Sequence, residues 1–212
     1  MSESVIPTLV VMARWPASGR CKRRLAADIG SEAAAHIQQR LSGHTFTVAE
    51  ALSQNGEIDL QVAISGVSLR SSQRWLGSLP PCMIVDQGRG TLGARMLRQI
   101  HLARQNQGHK PVILIGTDLA TLTQSDIRHA IASLQEQQLV IGPSDDGGYW
   151  LLGIGTALSR SKLDKLFFSV PWGSNKVFEI TSSRAQELGL NPHQLVSKND
   201  IDCLADLRLW HA

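Results

Sequence analysis

The densest cluster of charge in the sequence could bind a phosphate group. Residues 13–25 read Ala-Arg-Trp-Pro-Ala-Ser-Gly-Arg-Cys-Lys-Arg-Arg-Leu and hold five of the chain's 21 Lys and Arg residues. Such a local cluster fits a compact polyanion, such as a di- or triphosphate, better than a duplex. A solvated basic loop is the alternative, because neither GxxxxGK[ST] nor GxGxxG occurs. The five residues are Arg14, Arg20, Lys22, Arg23 and Arg24.

A second segment ends an apolar run with a single acid. Val112–Leu119 reads Val-Ile-Leu-Ile-Gly-Thr-Asp-Leu, so a buried strand here would bring Asp118 to the ligand-facing edge of a sheet. A carboxylate there is a natural ligand for Mg²⁺, which takes one or two acids and completes its shell with water and phosphate oxygens. Capping of a turn is the alternative role for Asp118.

Two adjacent acids and two glycines occur together in Gly142–Trp150, which reads Gly-Pro-Ser-Asp-Asp-Gly-Gly-Tyr-Trp. The glycines would let the backbone approach a ligand closely, and Asp145 or Asp146 could act as a general base. Tyr149 and Trp150 could form the wall of a sugar or base pocket, or these aromatics could enter the core. Asp-Gly is also a favoured hairpin turn, and a hairpin does not exclude the functional role.

The last segment with paired acids is Asn199–Leu207, which reads Asn-Asp-Ile-Asp-Cys-Leu-Ala-Asp-Leu. Asp202 is predicted to be the N-cap of a final helix, with Asp206 near the helix start. Asp200 is then left outside the helix, where it could serve as a second acid.

The elements that must position these segments are predicted to alternate as βα units, which indicates an α/β fold with a mostly parallel sheet. Open sheets of this kind bind ligands at the carboxyl ends of their strands, where the basic loop and Asp118 are expected. Strands are predicted at Thr8–Ala13, Asp59–Ile64, Met83–Val85, Val112–Gly116 and Leu139–Ile141. Helices are predicted at Ser31–Ser53, Leu92–Gln105, Thr123–Glu136 and Ser174–Leu188. Helix ends are predicted from N-caps at Ser31 and Thr123 and from Gly108 and Gly189.

Composition excludes several classes of protein. With 212 residues, 42% of them hydrophobic and 18% charged, the chain is predicted to form one domain over residues 1–212. The apolar runs are too short to cross a bilayer, and the start has no secretory pattern. Three cysteines without CxxC spacing argue against disulfides and zinc and predict a cytoplasmic protein. The net charge of +3 comes without a basic stripe with interleaved aromatics, so nucleic-acid binding is not expected.

In this order, the four segments resemble a bacterial family of glycosyltransferase-like proteins, the rSAM/selenodomain-associated transferases of type 1, formerly a domain of unknown function. That family is similar to phospholactate and molybdenum-cofactor guanylyltransferases, which share the nucleotide-diphospho-sugar transferase (GT-A) fold. The family pattern A-K-x-P-x-P-G-x-x-K-T-R-L is met at Ala13, Pro16, Gly19, Lys22, Arg24 and Leu25.

The remaining family patterns follow along the chain up to residue 207. The pattern G-T-D-L-P-x-L is met by Gly116–Leu119 and Leu122, with Ala120 in place of proline. The pattern G-P-x-x-D-G-G-Y-W-L is met by Gly142–Leu151, and D-x-D-x-x-x-D-L by Asp200, Asp202, Asp206 and Leu207. Val170–Ser174 matches a P-W-S segment. The chain departs from the family patterns at other positions as well. Arg14 replaces a lysine and Arg23 replaces a threonine of the first pattern, and Thr91, within Gly90–Met96, stands where the family tends to have an acid.

The resemblance implies a three-layer GT-A fold with a mostly parallel central sheet and a nucleotide at its carboxyl edge. It implies that Asp118 and Asp200 hold Mg²⁺ or Mn²⁺ and that Trp172 lies over the substrate, unless Trp172 only anchors a helix start. The catalytic residues it implies are Lys22, Arg24 and Asp146. The residues it implies for nucleotide contacts are Arg14, Gly19, Lys22, Arg24 and Tyr149.

The reaction is left open between two transfers. In nucleotidyl transfer, an already ionised acceptor phosphate attacks an NTP, and alignment and charge neutralisation are needed more than a base. In glycosyl transfer, an acceptor hydroxyl needs a base, for which Asp145 or Asp146 is the candidate. A non-catalytic nucleotide- or partner-binding module on the same fold is the third hypothesis. The expected partners are an NTP or nucleotide sugar and a small-molecule acceptor, without nucleic acid or membrane insertion; homodimer formation is left open.

Overall fold

The computed structural model describes residues 5–77, 79–107, 110–207 and 210. In these residues strands and helices alternate along most of the chain. The strands are β1 (Thr8–Arg14), β2 (Asp59–Ser65), β3 (Ile84–Asp86), β4 (Val112–Ile115), β5 (Leu139–Pro143), β6 (Tyr149–Ile154) and β7 (His193–Gln194). The helices are α1 (Arg23–Ile29), α2 (Ser31–Gln54), α3 (Leu69–Trp75), α4 (Leu92–Gln107), α5 (Gln124–Glu136), α6 (Arg160–Phe167), α7 (Val177–Glu187) and α8 (Leu204–Leu207), with a short 3-10 helix at Pro81–Met83.

All five predicted strands and all four predicted helices are present, with small shifts at their ends. Met83 belongs to the 3-10 helix rather than to β3, and α7 begins at Val177 instead of Ser174. The elements without a prediction are mainly short. In α1, for example, only Leu25 is buried, so its sequence has no apolar periodicity to detect.

The strands form one seven-stranded sheet in the order β3-β2-β1-β4-β6-β5-β7. Parallel pairs join β1 to β2 and to β4, β2 to β3, and β5 to β7. Only β6 runs antiparallel to its neighbours β4 and β5 within the described sheet. The prediction of an α/β fold with a mostly parallel sheet is therefore confirmed.

The Asp-Asp-Gly-Gly segment forms the turn of a hairpin between β5 and β6. The two strands pair from Leu139 opposite Ile154 to Pro143 opposite Tyr149, with an irregularity between Gly142 and Pro143. The hairpin expected from the sequence is thus confirmed. Because β6 points the opposite way, the turn lies at the same edge of the sheet as the carboxyl ends of β1 and β4.

Helices cover both faces of the sheet, which gives three layers. On β1, the buried side chains of Leu9 and Val11 pack into the cluster that contains residues of α2 and α5. Val10 lies on the other face, in the cluster that contains residues of α4, α6 and α7. This alternation explains why β1 is apolar at nearly every position.

Several helix ends differ from the predicted caps. Thr123 caps α5 as expected and forms a capping box with Asp126. Ser31 is wrong as an N-cap, because α2 begins at Ser31 and Gly30 is the cap. Gly189 follows α7 with φ of 70°, as a C-terminal glycine should; Gly108 lies outside the described residues.

Asp202 is also wrong as the N-cap of α8. The carboxylate that binds the free backbone N–H groups at the helix start is that of Asp206, which accepts from the N–H of Asp202 and of Cys203, both at 2.8 Å. The side chain of Asp202 is therefore available for another contact.

Among the described helices, none is long and apolar enough to cross a membrane.

Candidate active site

A cleft opens at the carboxyl ends of β1 and β4 and the amino end of β6. Its volume is about 710 Å³, a size typical of small-molecule sites. The cleft is lined by all four segments that were singled out in the sequence: the basic loop, the Asp118 segment, the β5–β6 turn and the segment that carries Asp200 and Asp202. Most of the residues predicted for the site therefore meet in one cavity, namely Arg14, Lys22, Arg24, Asp118, Asp146, Tyr149 and Asp200.

Lys22 lies at the centre of the charged part of this cleft. Its Nζ is 2.7 Å from Asp118 Oδ1 and 3.1 Å from Asp202 Oδ1, and its side chain is only 3% exposed. Burial works against the charged form, but the carboxylates of Asp118 and Asp202 outweigh it and raise the pKa of Lys22. The residue is thus held as a buried ammonium.

The backbone of Lys22 is strained. It adopts φ 45° and ψ 50°, the left-handed region, as the N-cap of α1. For a residue with a Cβ this conformation costs on the order of 1–2 kcal/mol. Strain of this kind concentrates at functional sites, where the surrounding structure enforces it.

Two further carboxylates, those of Asp146 and Asp200, line the cleft beside this ion pair, and Asp200 is ionised only with difficulty. Burial, together with the nearby charge of Asp118, raises the pKa of Asp200 to about 7. Asp146 and Asp202 act in the same direction, while Lys22 opposes them. Asp200 is therefore protonated more readily than an exposed aspartate.

The two acids of the β5–β6 turn have different environments. One oxygen of Asp146 accepts from Ser144 Oγ at 2.6 Å and from the N–H of Gly148 at 2.9 Å. Asp146 lines the cleft, whereas Asp145 does not, and its carboxylate accepts from Ser197 Oγ at 2.6 Å. Asp145 is therefore not brought to the site where a general base would act.

The arginines of the basic loop after β1 fall into two groups, those that line the cleft and those that do not. Arg14 at the end of β1 and Arg24 on α1 line the cleft beside Lys22. Arg20 and Arg23 are exposed and do not line it. Gly19 has φ of 72°, so it shapes the loop, but it does not line the cleft either.

The aromatic side chains of Tyr149 and Trp172 also line the cleft. The Trp172 ring packs edge-on against Tyr149, with centroids 6.3 Å apart, and is stacked on Phe167 at 5.7 Å. A side chain at Gly93 would collide with the indole of Trp172, so the glycine lets helix α4 pack against the ring. The Tyr149 hydroxyl is buried, and burial raises its pKa, so only the ring faces the cleft.

Two residues at the site, Asp202 and Gln38, were not identified from the sequence. Asp202 was interpreted as a helix cap, although it is a second partner of Lys22. Gln38 of α2 donates to the Thr117 hydroxyl at 3.2 Å and so steadies the turn that carries Asp118. A buried amide in the middle of a helix has no distinct pattern, so Gln38 could not be found; the D-x-D spacing could have identified Asp202.

Thr91 has a plain structural role where the family pattern tends to have an acid. Its hydroxyl accepts from the N–H of Ala94 at 3.3 Å, at the start of α4. Threonine and aspartate are both good N-cap residues, so the substitution keeps the helix start.

The donor set of the cleft fits a hard divalent cation. Mg²⁺ and Mn²⁺ prefer carboxylate oxygens, and the buried ammonium of Lys22 stands where a positive charge is already stabilised by Asp118 and Asp202. In the part of the chain that the structure describes, however, no three acidic, His or Cys side chains are grouped closely enough to hold an ion as they stand. The acids would have to converge, and Lys22 to give way, for an ion to bind.

The family described as "Uncharacterized protein conserved in bacteria (DUF2064)" matches residues 47–174. That range includes the Asp118 segment and the β5–β6 turn but neither the basic loop nor Asp200. No curated protein matches the chain.

Solved structures share the whole fold. The chain is similar to a candidate nucleotide-diphospho-sugar transferase from Desulfovibrio desulfuricans G20, with a TM-score of 0.86 and 25% identity over 97% of this chain and 86% of that one. It is also similar to 4-diphosphocytidyl-2C-methyl-D-erythritol synthase from Anaerococcus prevotii DSM 20548, with a TM-score of 0.63 and 12% identity over 98% and 95% of the two chains. A third match is Rv0371c from Mycobacterium tuberculosis H37Rv in complex with manganese, with a TM-score of 0.51 and 14% identity over 98% of each chain. The nucleotide-diphospho-sugar transferase fold implied by the family resemblance is confirmed.

Proposed function

The chain belongs to the DUF2064 family of uncharacterized bacterial proteins, and for this member we propose metal-dependent nucleotidyl transfer from a nucleoside triphosphate. The observation that supports it best is the buried Lys22 between Asp118 and Asp202, with Arg14 and Arg24 in the same cleft. Three cations and a group of acids suit a triphosphate and its metal ion. A sugar nucleotide carries less charge and needs fewer cations.

The metal would be held by Asp118 and Asp200, with Mg²⁺ or Mn²⁺ as the ion. When bound, such an ion neutralises phosphate oxygens and the charge that develops on the leaving group. A solved neighbour in complex with manganese has the same fold, which is compatible with this proposal.

The side chains of the cleft would bind and align the reactants. An acceptor phosphate oxygen forms a bond to the α-phosphorus, the bond from that phosphorus to the bridging oxygen breaks, and pyrophosphate leaves. Lys22 and Arg24 would hold the phosphates and stabilise the charge on the departing pyrophosphate, with Arg14 beside them. Because the nucleophile is already ionised, no protein base is required.

The surroundings of Asp145 and Asp146 in the β5–β6 turn support nucleotidyl transfer over glycosyl transfer. Asp145 does not line the cleft, and one oxygen of Asp146 is engaged by Ser144 and Gly148. The two candidates for a base in glycosyl transfer are therefore poorly prepared for that role. We assign Asp146 instead to shaping the turn and the acceptor side of the cleft.

Glycosyl transfer is the second candidate, and one observation favours it. Asp200 has its pKa raised to about 7, so its carboxylate could accept a proton from an acceptor hydroxyl near neutral pH. The similar protein from Desulfovibrio desulfuricans is described as a nucleotide-diphospho-sugar transferase. In that reaction a nucleoside diphosphate, and not pyrophosphate, would be released.

The product distinguishes these reactions. The protein is incubated with Mg²⁺, each NTP or sugar nucleotide in turn, and a pool of phosphorylated small molecules as acceptor; GTP comes first because the family resembles guanylyltransferases. Pyrophosphate release is expected with one NTP. Release of a nucleoside diphosphate from a sugar nucleotide instead would support glycosyl transfer. Binding without any turnover would support a non-catalytic nucleotide-binding module.

A matched pair of variants tests the phosphate site. Arg24 and Arg23 are adjacent and exposed on α1, but only Arg24 lines the cleft. Arg24→Met should reduce the NTP-induced rise in melting temperature, whereas Arg23→Met should leave it unchanged. Equal behaviour of the two variants would argue against phosphate binding at this position.

A further inference from the structure

Lys22 itself behaves as a cation bound to the acidic cluster. Its Nζ contacts Asp118 Oδ1 at 2.7 Å and Asp202 Oδ1 at 3.1 Å, while each of these carboxylates remains 43% exposed. The ammonium therefore covers one oxygen of each acid, and the rest of each carboxylate is open to the cleft.

The contacts of Lys22 do not resemble those of an ion pair that only stabilises the fold. The backbone at Lys22 is held in the left-handed region, which aims a long, flexible side chain inward from the start of α1. The side chain is almost wholly buried, yet two further acids, Asp146 and Asp200, line the same cleft without a matching buried cation. Arg14 and Arg24 also line the cleft, but both are exposed, so Lys22 is the buried cation beside these acids.

A divalent ion on Asp118 would compete with this ammonium. Both cations would lie beside the same carboxylate, and at such a separation inside a protein their repulsion is large. An incoming triphosphate changes the balance, because its oxygens offer Lys22 other anionic partners within the cleft. Lys22 could then leave Asp118 without becoming an unpaired buried charge.

We propose that Lys22 is an internal counter-cation that keeps the nucleotide-free site from binding a divalent ion, so that ion and nucleotide bind together. This inference rests on the proposed function, since it uses the same acids as metal ligands. It goes further by predicting an order of binding: the free protein binds the bare ion weakly, and the nucleotide, by drawing Lys22 to its phosphates, opens Asp118 to the ion.

The test measures the ion alone, without nucleotide. Mn²⁺ is titrated into the wild type, Lys22→Met, Lys22→Gly and Arg23→Met, and the unbound ion is followed by electron paramagnetic resonance. Lys22→Gly is included because glycine adopts the observed φ of 45° without strain and should fold even if Lys22→Met does not. Arg23→Met removes a neighbouring charge that lies outside the cleft and serves as the matched control.

Both Lys22 variants should bind Mn²⁺ at least about tenfold more tightly than the wild type, and the control should match the wild type. Adding Asp118→Asn to Lys22→Met should return binding to the weak level. Equal affinity of wild type and both Lys22 variants would overturn the inference, as would tight binding that survives Asp118→Asn.

The two proposals fail separately. A wild type that releases pyrophosphate but binds bare Mn²⁺ as tightly as the Lys22 variants would contradict only the role of Lys22 as a counter-cation. A protein that responds to no NTP, while its Lys22 variants bind Mn²⁺ more tightly, would contradict nucleotidyl transfer and leave that role intact.

Discussion

Two ion pairs in this protein, Arg128–Glu57 and Lys22–Asp118, differ in burial and in the charges around them. Arg128 donates to both carboxylate oxygens of Glu57, from Nε at 2.7 Å and from a terminal nitrogen at 2.8 Å. One acid meets one base, and both groups are partly exposed. At Lys22, by contrast, one buried ammonium contacts two acids, Asp118 and Asp202, and the acids Asp146 and Asp200 line the same cleft.

The pKa values of the acids move in opposite directions in the two places. The hydrogen bond from Arg128 lowers the pKa of Glu57 to about 2, so this pair is ionised at every ordinary pH. Burial and the charge of Asp118 raise the pKa of Asp200 to about 7. The pair of Glu57 and Arg128 is balanced by itself, whereas the environment of Asp200 disfavours its ionised form.

The largest expected effect comes from removing the central acid of the cluster. Asp118→Asn keeps the shape of the side chain but loses the charge on which the ion and Lys22 depend. Pyrophosphate release should fall by at least ~100-fold. Pyrophosphate release within twofold of the wild type would remove Asp118 from the proposed metal site.

A second change tests whether the turn must hold its conformation to support the cluster. Gly147 has φ of 86°, and a Cβ there would collide with the backbone of Asn175. Gly147→Ala should cost about 2–4 kcal/mol of unfolding free energy, measured by urea denaturation. Gly173→Ala is the matched control, because Gly173 has φ of 85° with nothing within 4 Å, so only backbone strain of about 1 kcal/mol is expected. Equal losses would show that the contact with Asn175 is unimportant.

The raised pKa of Asp200 predicts a pH-dependent gain on substitution. In the unfolded chain the carboxyl ionises near its ordinary pKa of 3.8, but in the folded protein only near 7. The wild type therefore loses stability as pH rises between these values, and Asp200→Asn does not. With a chelator present, the variant should melt several degrees above the wild type at pH 8, and the difference should shrink toward pH 4. A variant less stable than the wild type at pH 8 would contradict this assignment.

The smallest effect is expected at the balanced pair. Glu57→Gln removes a charge from an exposed contact, where solvent screens the interaction, so the melting temperature should stay within about 2 °C of the wild type. Pyrophosphate release should be unchanged. A large loss of activity would mean that the two ion pairs are not as different as their surroundings indicate.

Much of the fold could be predicted because its signals are local. The central strands β1 and β4 are covered on both faces, so their sequences are continuous apolar runs, and Thr123 and Asp126 mark a helix start by their spacing. The elements β7 and α1 could not be predicted, since they are short and depend on tertiary contacts. The direction of β6 followed only from the hairpin turn before it.

The sequence predicted most of the residues that line the cleft, but it did not predict which of them contact one another. The basic loop, Asp118 and the closing acids stand at the ends of elements, and a parallel sheet gathers such ends at one edge. Which acid pairs with Lys22 depends on a left-handed backbone at residue 22 and on the start of α8, and neither leaves a pattern in the sequence. For the same reason Asp202 was mistaken for a cap.

The contact between Lys22 and Asp202 joins positions 180 residues apart. A ribosome releases the basic loop well before Asp200 and Asp202, so the growing chain exposes Lys22 long before its partner Asp202 exists. The sheet can assemble first, and the acidic cluster is completed afterwards by the segment that carries Asp200 and Asp202. The proposed site is thus complete only after the segment that carries Asp200 and Asp202 has joined it, and a nascent chain that lacks this segment should bind the proposed ion weakly.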